Sequence, residues 1–268
     1  MKFLRVFPSL LVFGLLAHGI AIAAPPPGYQ LAWADEFKGH TLDTNKWDYW
    51  LPGKRRDALD VTNAITVGHG HLTITSYSEN GRYYTGMVST EHKFSPVFGY
   101  WEARIRFQDS PGMWSAFWLQ SPTMGRPLDD PGQAGIEIDI CEHRAVSSKG
   151  QALGGQVQHT LHWNGYGAAH QSVGQLTPEL KLDSGCHVYG FEWTTNAYHF
   201  YVDGQPTWTN NAAVSHAPEF VILSSEIENT AWAGHIPAEG YGDRFHSRTK
   251  MIVDYVRYYS PRPPPPTP

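Results

Sequence analysis

The chain has 268 residues and a formal net charge of −5 with no basic block, so the electrostatic footprint of a nucleic-acid binder is missing. Ten Trp, fourteen Tyr and twelve Phe are many; aromatic rings build β cores and also stack on the C–H faces of sugars, so the excess alone favours neither role. Beyond the first two dozen residues no apolar run is long enough to span a bilayer.

Residues 1–23 read as a secretory signal peptide: Lys2 and Arg5 start it, residues 6–22 are mostly apolar, and Ala21-Ile22-Ala23 has the small-x-small cleavage form. A membrane anchor fits less well, because Pro8, His18 and Gly19 interrupt a short segment. The protein is therefore expected to be exported and free of the membrane after cleavage. Pro25-Pro26-Pro27 is a stiff leader. Residues 29–37 read as a first strand and 42–47 as a turn anchored by a buried Trp47. Residues 54–57, Lys-Arg-Arg-Asp, read as a charged surface loop. Residues 64–67, 71–77 and 85–90 read as short strands split by Gly and Asn turns. His69 and His71 share a strand face, but no third ligand stands nearby, so a surface reading suits them better than a metal pair. Residues 99–107 and 113–120 alternate strongly, and Trp114 and Trp118, four apart, fall on one face.

After a loop rich in Pro, Gly and Asp (121–134) comes the stretch 135–143, Gly-Ile-Glu-Ile-Asp-Ile-Cys-Glu-His. Acidic and apolar residues alternate in it, as in a strand with one wet and one buried face. Glu137 and Asp139 share a face. Glu142 is five residues after Glu137, so a regular strand would turn it inward among isoleucines, at considerable cost. A one-residue β-bulge at Ile140-Cys141 would return it to the wet face, and bulges often re-aim side chains at active sites. Three acids in a row repel one another, so one stays ionised while another holds a proton near neutral pH. That is what an acid/nucleophile pair needs; a solvated edge strand with acidic gatekeepers is the other reading. Cys141 beside these acids makes a poor thiolate, and a Cys141–Cys186 bridge is left open.

Residues 157–163 form the next strand, followed by a Gly-rich loop to His170. Residues 186–193 and 197–204 read as a hairpin, and 220–227 and 251–259 close the domain. Helical periodicity and internal repeats are missing. Many short strands with turn signals mean an all-β sandwich or barrel. Residues 24–260 are read as one domain and 261–268 as a Pro-rich tail.

These motifs together resemble glycoside hydrolase family 16, the laminarinase-like enzymes on a concanavalin-like β-sandwich (jelly roll) with a concave glycan-binding cleft. The resemblance runs from about Leu31 to Tyr259. It rests on Trp33-Ala-Asp-Glu-Phe37 with Leu42-Asp43 and Lys46-Trp47, on Phe98-Gly-Tyr-Trp-Glu-Ala-Arg-Ile105, and on Trp114-Ser-Ala-Phe-Trp118. Glu137-Ile-Asp-Ile-Cys-Glu142 matches the catalytic signature in its bulged form. Phe191-Glu-Trp193, Tyr201-Val-Asp-Gly204 and Val253-Asp-Tyr-Val-Arg-Tyr258 match the later strands.

The resemblance implies a retaining mechanism with Glu137 as nucleophile, Asp139 assisting and Glu142 as acid/base. It implies a sugar contact from Trp114, a sugar contact or a core position for Trp118, and for His162 a hydrogen bond to the nucleophile or the substrate, with a structural histidine as the other reading; it makes Glu226 and Trp232 candidates where the chain departs from the usual laminarinase form. His143 and Arg144 are either contacts to a plus-side sugar or a solvated strand end. Catalysis needs no cofactor; a structural calcium is implied, with Asp254 as side-chain ligand and Glu36 and Gly70 as candidate partners. The expected protein is a secreted, monomeric, endo-acting β-glycanase on a polysaccharide, foremost a β-1,3- or β-1,3-1,4-glucan. Its alternatives are a galactan-type or other marine polysaccharide, transglycosylation, and a non-catalytic glycan-binding protein on the same fold.

Overall fold

The computed structural model describes residues 25–263 apart from 181, 183, 184, 230 and 231. The signal peptide read in residues 1–23 and the end of the Pro-rich tail, 264–268, lie outside the described residues.

Among the described residues eighteen strands form two sheets. One holds β1 (Tyr29–Asp35), β5 (Ile65–Gly68), β6 (His71–Thr75), β9 (Gly99–Arg106), β14 (His187–Trp193), β15 (Tyr198–Val202), β16 (Gln205–Asn210) and β18 (Lys250–Pro261). Its order is β16-β15-β14-β9-β18-β6-β5, with β1 also on β18. The other holds β2 (Asp48–Tyr49), β3 (Gly53–Arg55), β4 (Ala58–Asp60), β7 (Tyr77–Glu79), β8 (Arg82–Ser89), β10 (Met113–Gln120), β11 (Glu137–His143), β12 (Gln158–Trp163), β13 (Gln171–Leu176) and β17 (Phe220–Ile227). Its order is β13-β12-β11-β10-β17-β8-β4-β3, with β2 and β7 on β8. The one α-helix among the described residues is a single turn, α1 (Pro131–Ala134), capped by the Asp130 carboxylate, which accepts from the Gln133 N–H at 3.0 Å.

The inner faces of the two sheets meet in one core. Trp47, Trp101, Trp193, Phe117, Phe191 and Phe200 are fully buried there with Leu72, Ile74, Ile138 and Val253. Each such side chain contributes about 1.5–3 kcal/mol by leaving water. Trp47 is the expected anchor: its Nε1 donates to Asp35 Oδ2 at 2.9 Å and its ring meets Trp33 edge-on at 5.6 Å.

Alternation decides which residues face outward. On β10, Phe117 and Leu119 enter the core, while Trp114, Ala116, Trp118 and Gln120 face out. The loop at 121–134 closes tightly on the start of β11. Gly135 there has φ +72°, and a Cβ on it would come 2.2 Å from Ser121 Cβ, so only glycine fits.

One local expectation needs correction. Residues 54–57 are not a free surface loop: Gly53–Arg55 pairs with Ala58–Asp60 as a short hairpin on the edge of the ten-stranded sheet. The strands β13 and β16 lie in polar, Gly- or Pro-containing sequence that carries no alternation of apolar residues. Both cysteines are free, Cys141 packed in the core and Cys186 half-buried.

Candidate active site

β11 pairs regularly with β12 up to Asp139↔Thr160 and resumes at Glu142↔Gln158. Against β10, Phe117 sits opposite Cys141 and Trp118 opposite Asp139, which leaves Ile140 as the extra residue. This is the expected bulge. It turns both Ile140 and Cys141 into the core and brings Glu142 back to the outer face. Glu137, Asp139 and Glu142 therefore line one cavity of about 490 Å³ on the outside of the ten-stranded sheet. Trp50, Arg55, Arg56, Gln120, Tyr166 and Glu226 complete much of its wall.

Each acid has its own partners. Glu137 Oε2 accepts from Gln120 Nε2 at 3.0 Å and from the Tyr166 hydroxyl, leaving Oε1 outside both bonds. Glu142 Oε1 accepts from Trp114 Nε1 at 2.8 Å, and its Oε2 accepts from the Thr160 hydroxyl at 2.9 Å. Asp139 lies between them, with Oδ2 buried and lacking a hydrogen-bond partner. His162, opposite Glu137 across the strand pair, places Nε2 at 3.3 Å from Asp139 Oδ2 and 3.9 Å from Glu137 Oε1. Its Nδ1 lies 2.9 Å from His170 Nε2.

Burial pushes all three carboxyls above the usual carboxylate range. For Glu137 the Tyr166 hydroxyl and the neighbouring His162 ring pull back. For Asp139 burial is reinforced by the charges of Glu137 and Glu226, and its carboxyl stands well above that range. Glu142 is also well above it, through burial first and Asp139 second, with the Thr160 hydroxyl opposing. The arrangement thus separates an acid with strong anion-stabilising partners, Glu137, from one held in its protonated form, Glu142. The Cys141 thiol is pushed up by burial in the core and takes no part.

Trp118 serves two purposes. It lines the cavity and packs in an apolar cluster on the same outer face with Trp50, Ala116, Phe220 and Ile222, while its Nε1 donates to the Ser224 hydroxyl at 3.0 Å. Trp114 also lines the cavity, but its ring is occupied. The Arg56 guanidinium lies 4.1 Å from its centre and the Trp232 ring 4.7 Å away, with Arg144 in turn 3.8 Å from Trp232. The four side chains form an Arg56–Trp114–Trp232–Arg144 stack, and Trp114 meets the site through its Nε1 edge on Glu142. Trp232 stands behind Trp114, outside the cavity lining. Glu226 reaches the cavity, but its two oxygens are taken by Arg55, at 2.7 Å, and by Arg56, which also bonds Glu228 at 2.9 Å.

His143 is neither a sugar contact nor a solvated strand end. It is 2% exposed, stacks on Phe107 at 5.0 Å, and its Nε2 lies 3.2 Å from Gly154 O. Arg144 is held by Trp232, donating to its carbonyl at 2.7 Å. The residues gathered for calcium do not fit that ion, which takes six to eight oxygens. The Asp254 carboxylate bonds Arg104 and lies 2.9 Å from His71 Nε2, and Glu36 holds Arg257 through bonds of 2.7 and 3.1 Å. Each carboxylate is already paired with an arginine.

Several residues of the site escaped the sequence reading. Gln120 shares the parity of Trp114 and Trp118, a signal that was there to be used. Tyr166, Thr160, Arg55, Arg56 and His170 arrive through turns and cross-strand pairing, which spacing along the chain does not encode.

A family model described as the β-porphyranase A–D, GH16 domain matches residues 30–261. The endo-1,3-1,4-β-glycanase ExsH of Rhizobium meliloti is 29% identical over 238 residues, 85% of this chain and 46% of its own. The β-glucanase of Rhodothermus marinus is 29% identical over 260 residues, 87% of this chain and 86% of its own. The solved endo-β-1,3-glucanase of Pyrococcus furiosus superposes with a TM-score of 0.67 at 26% identity, covering 87% of this chain and 94% of that one. The chain spans less than half the length of several curated relatives it matches.

Proposed function

The chain belongs to glycoside hydrolase family 16, and from that premise we propose that it is an endo-acting, retaining hydrolase of a β-linked polysaccharide, with β-1,3- or β-1,3-1,4-glucan as the first substrate. The observation that carries this reading is the bulged strand, which gathers Glu137, Asp139 and Glu142 on one face of one cavity. The names of the Rhodothermus marinus β-glucanase and the Pyrococcus furiosus endo-β-1,3-glucanase supply the glucan, and that of ExsH the mixed 1,3-1,4 linkage.

The chemistry follows from the partners. Glu137 Oε1, free of the Gln120 and Tyr166 bonds, attacks the anomeric carbon, while Glu142 gives its proton to the departing glycosidic oxygen. The C–O bond to the leaving sugar breaks and an ester to Glu137 forms. Glu142, now ionised and steadied by Trp114 and Thr160, takes a proton from water. As that proton leaves, the water oxygen attacks the anomeric carbon and the bond to Glu137 breaks, freeing its carboxylate; the second inversion at that carbon gives net retention. Retention needs carboxyls about 5–5.5 Å apart, and two Glu side chains leaning over one Asp allow that approach. Asp139 acts on Glu137 by sharing a proton with it. Trp118 and Trp50 offer apolar floor for a sugar ring.

A second substrate reading has its own support. The matching family model is that of β-porphyranases, and Arg55 and Arg56 place two guanidinium groups in the cavity wall, which suits a galactan carrying anionic groups. Export, inferred from residues 1–23, suits either polymer; no helix among the described residues is long and apolar enough to cross a membrane.

Laminarin, lichenan, agarose, carrageenan and porphyran tested side by side separate the readings. Oligosaccharides released from laminarin or lichenan are the expected result. Release from porphyran alone would move the assignment to the galactan, and release from none would remove the hydrolase assignment.

A further inference from the structure

Three ligand-type side chains converge at the centre of the cavity. Glu137 Oε1, Asp139 Oδ2 and His162 Nε2 belong to a group whose ligand atoms all lie within 4.8 Å of one another. Asp139 is 4% exposed, and its Oδ2 has no hydrogen-bond partner. His162 Nε2 stands 3.3 Å from that oxygen without forming a hydrogen bond to it. Lone pairs packed this closely in a buried place repel one another unless a proton, as in the hydrolytic scheme above, or a cation in its place sits among them.

From this geometry we infer that the catalytic centre is also a binding site for a divalent transition metal of the zinc class, held by Glu137, Asp139 and His162. Three features select that class. Two ligands ~2.0 Å from a tetrahedral zinc lie ~3.3 Å apart, which is the His162–Asp139 separation. Glu137 Oε1, at 3.9 Å from the same nitrogen, needs only a small side-chain shift to complete the third edge. An imidazole nitrogen among two carboxylates suits zinc and its neighbours better than calcium or magnesium. The second partner of the imidazole is also in place. With the His162 Nδ1 proton directed at His170 Nε2, 2.9 Å away, Nε2 presents its lone pair to the metal, the outer hydrogen bond that metal-binding histidines usually have. The fourth position opens to the cavity and takes water.

Such an ion does not serve hydrolysis. It occupies the oxygen assigned above to attack the sugar, so it holds the enzyme off. This consequence rests on the hydrolase reading; the binding itself does not. The reaction needs no metal in this scheme, and removing zinc releases the nucleophile.

The test is a titration of the full chain, stripped with EDTA and dialysed, with Co²⁺ followed by its visible d–d absorption and then displaced by Zn²⁺. No glycan is present, so a failed hydrolase assignment leaves the result untouched. One saturable, Zn²⁺-displaceable equivalent is expected. His162→Gln should lose it, and His170→Ala should weaken it ~10–100-fold, the usual cost of removing an outer partner. With a β-glycan substrate, Zn²⁺ should inhibit competitively and EDTA should restore full rate. Absence of a saturable band up to millimolar Co²⁺, or equal affinity in a natively folded His162→Gln, overturns the inference. Should that variant misfold, zinc-edge anomalous scattering from wild-type crystals decides: a peak among the three atoms upholds the site, and none refutes it.

Discussion

Tyr166 is 64% exposed, yet its hydroxyl bonds the Glu137 carboxylate. A surface tyrosine in a Gly-rich turn thus helps decide which acid is ionised. A hydrogen bond to a charged group is worth about 1.5–3 kcal/mol, so Tyr166→Phe should lower kcat/KM roughly ten- to hundredfold. The bond stabilises the ionised form of Glu137. Its loss raises that pKa, and the acid limb of the pH–rate profile should move to higher pH. Thr160→Val acts on the other limb. The Thr160 hydroxyl opposes the upward shift of Glu142, so removing it keeps the acid protonated to higher pH and the alkaline limb should move up, with the acid limb in place. A pH–rate series on the two variants reads both shifts; movement of both limbs together in either variant would mean that the two acids titrate as one unit. Trp114 belongs to the same circle. Its ring is sandwiched by Arg56 and Trp232, so its effect on turnover comes through Nε1 on Glu142 rather than through sugar stacking.

At the scale of the element, the bulge carries the site. Strand side chains repeat every two residues, and a one-residue slip exchanges faces. Deleting Ile140 should therefore restore a regular β11 in which Cys141 alone fills the core position and Glu142, now four residues after Glu137, keeps the cavity face, so activity should survive the deletion and be lost in Glu142→Gln. The deletion also removes the buried Ile140 side chain, at a cost of about 2–5 kcal/mol, so the melting temperature should fall in the deletion and stay near wild type in Glu142→Gln. Differential scanning calorimetry beside an activity assay separates the two. This strand is also where the sequence was most legible: the five-residue gap between Glu137 and Glu142 announces the irregularity, because a regular strand would bury a charge. The Arg55–Arg56 hairpin was illegible for the opposite reason. Four polar residues in a row have no periodicity, and only the placement of Glu226 on β17, 171 residues away, turns the arginines toward the cavity. Glu226, read as a sugar ligand, became an internal partner by the same pairing.

For the whole molecule, buried acids give stability a pH dependence of definite sign. Glu219 is fully buried behind the start of β11, where its Oε1 accepts from the Ile136 N–H at 3.1 Å. Burial raises its pKa to about 8, and burial raises that of Asp60 to about 7. Both hold protons in the folded state that the unfolded chain gives up in the usual carboxylate range. The folded state binds more protons between those limits, so stability falls as pH rises from about 4.5 to 8. Buried His143 and His159, neutral in the fold, oppose this on the acid side and cost stability below about pH 6.5. Glu219→Gln should match wild type in melting temperature at pH 5 and exceed it at pH 8; an equal gap at both would show that Glu219 does not hold a proton. The sandwich itself was legible from strand alternation and turn residues, whereas the pairing order of the strands was not, since β1 meets β18 across the length of the chain. The central claim is that Glu137 attacks directly and Glu142 supplies and recovers the proton. Proton NMR of the first products released from a β-glycan tests it most directly. A reducing end that appears first in the β configuration and then mutarotates is the predicted result; an α anomer appearing first would mean inversion and would contradict the account.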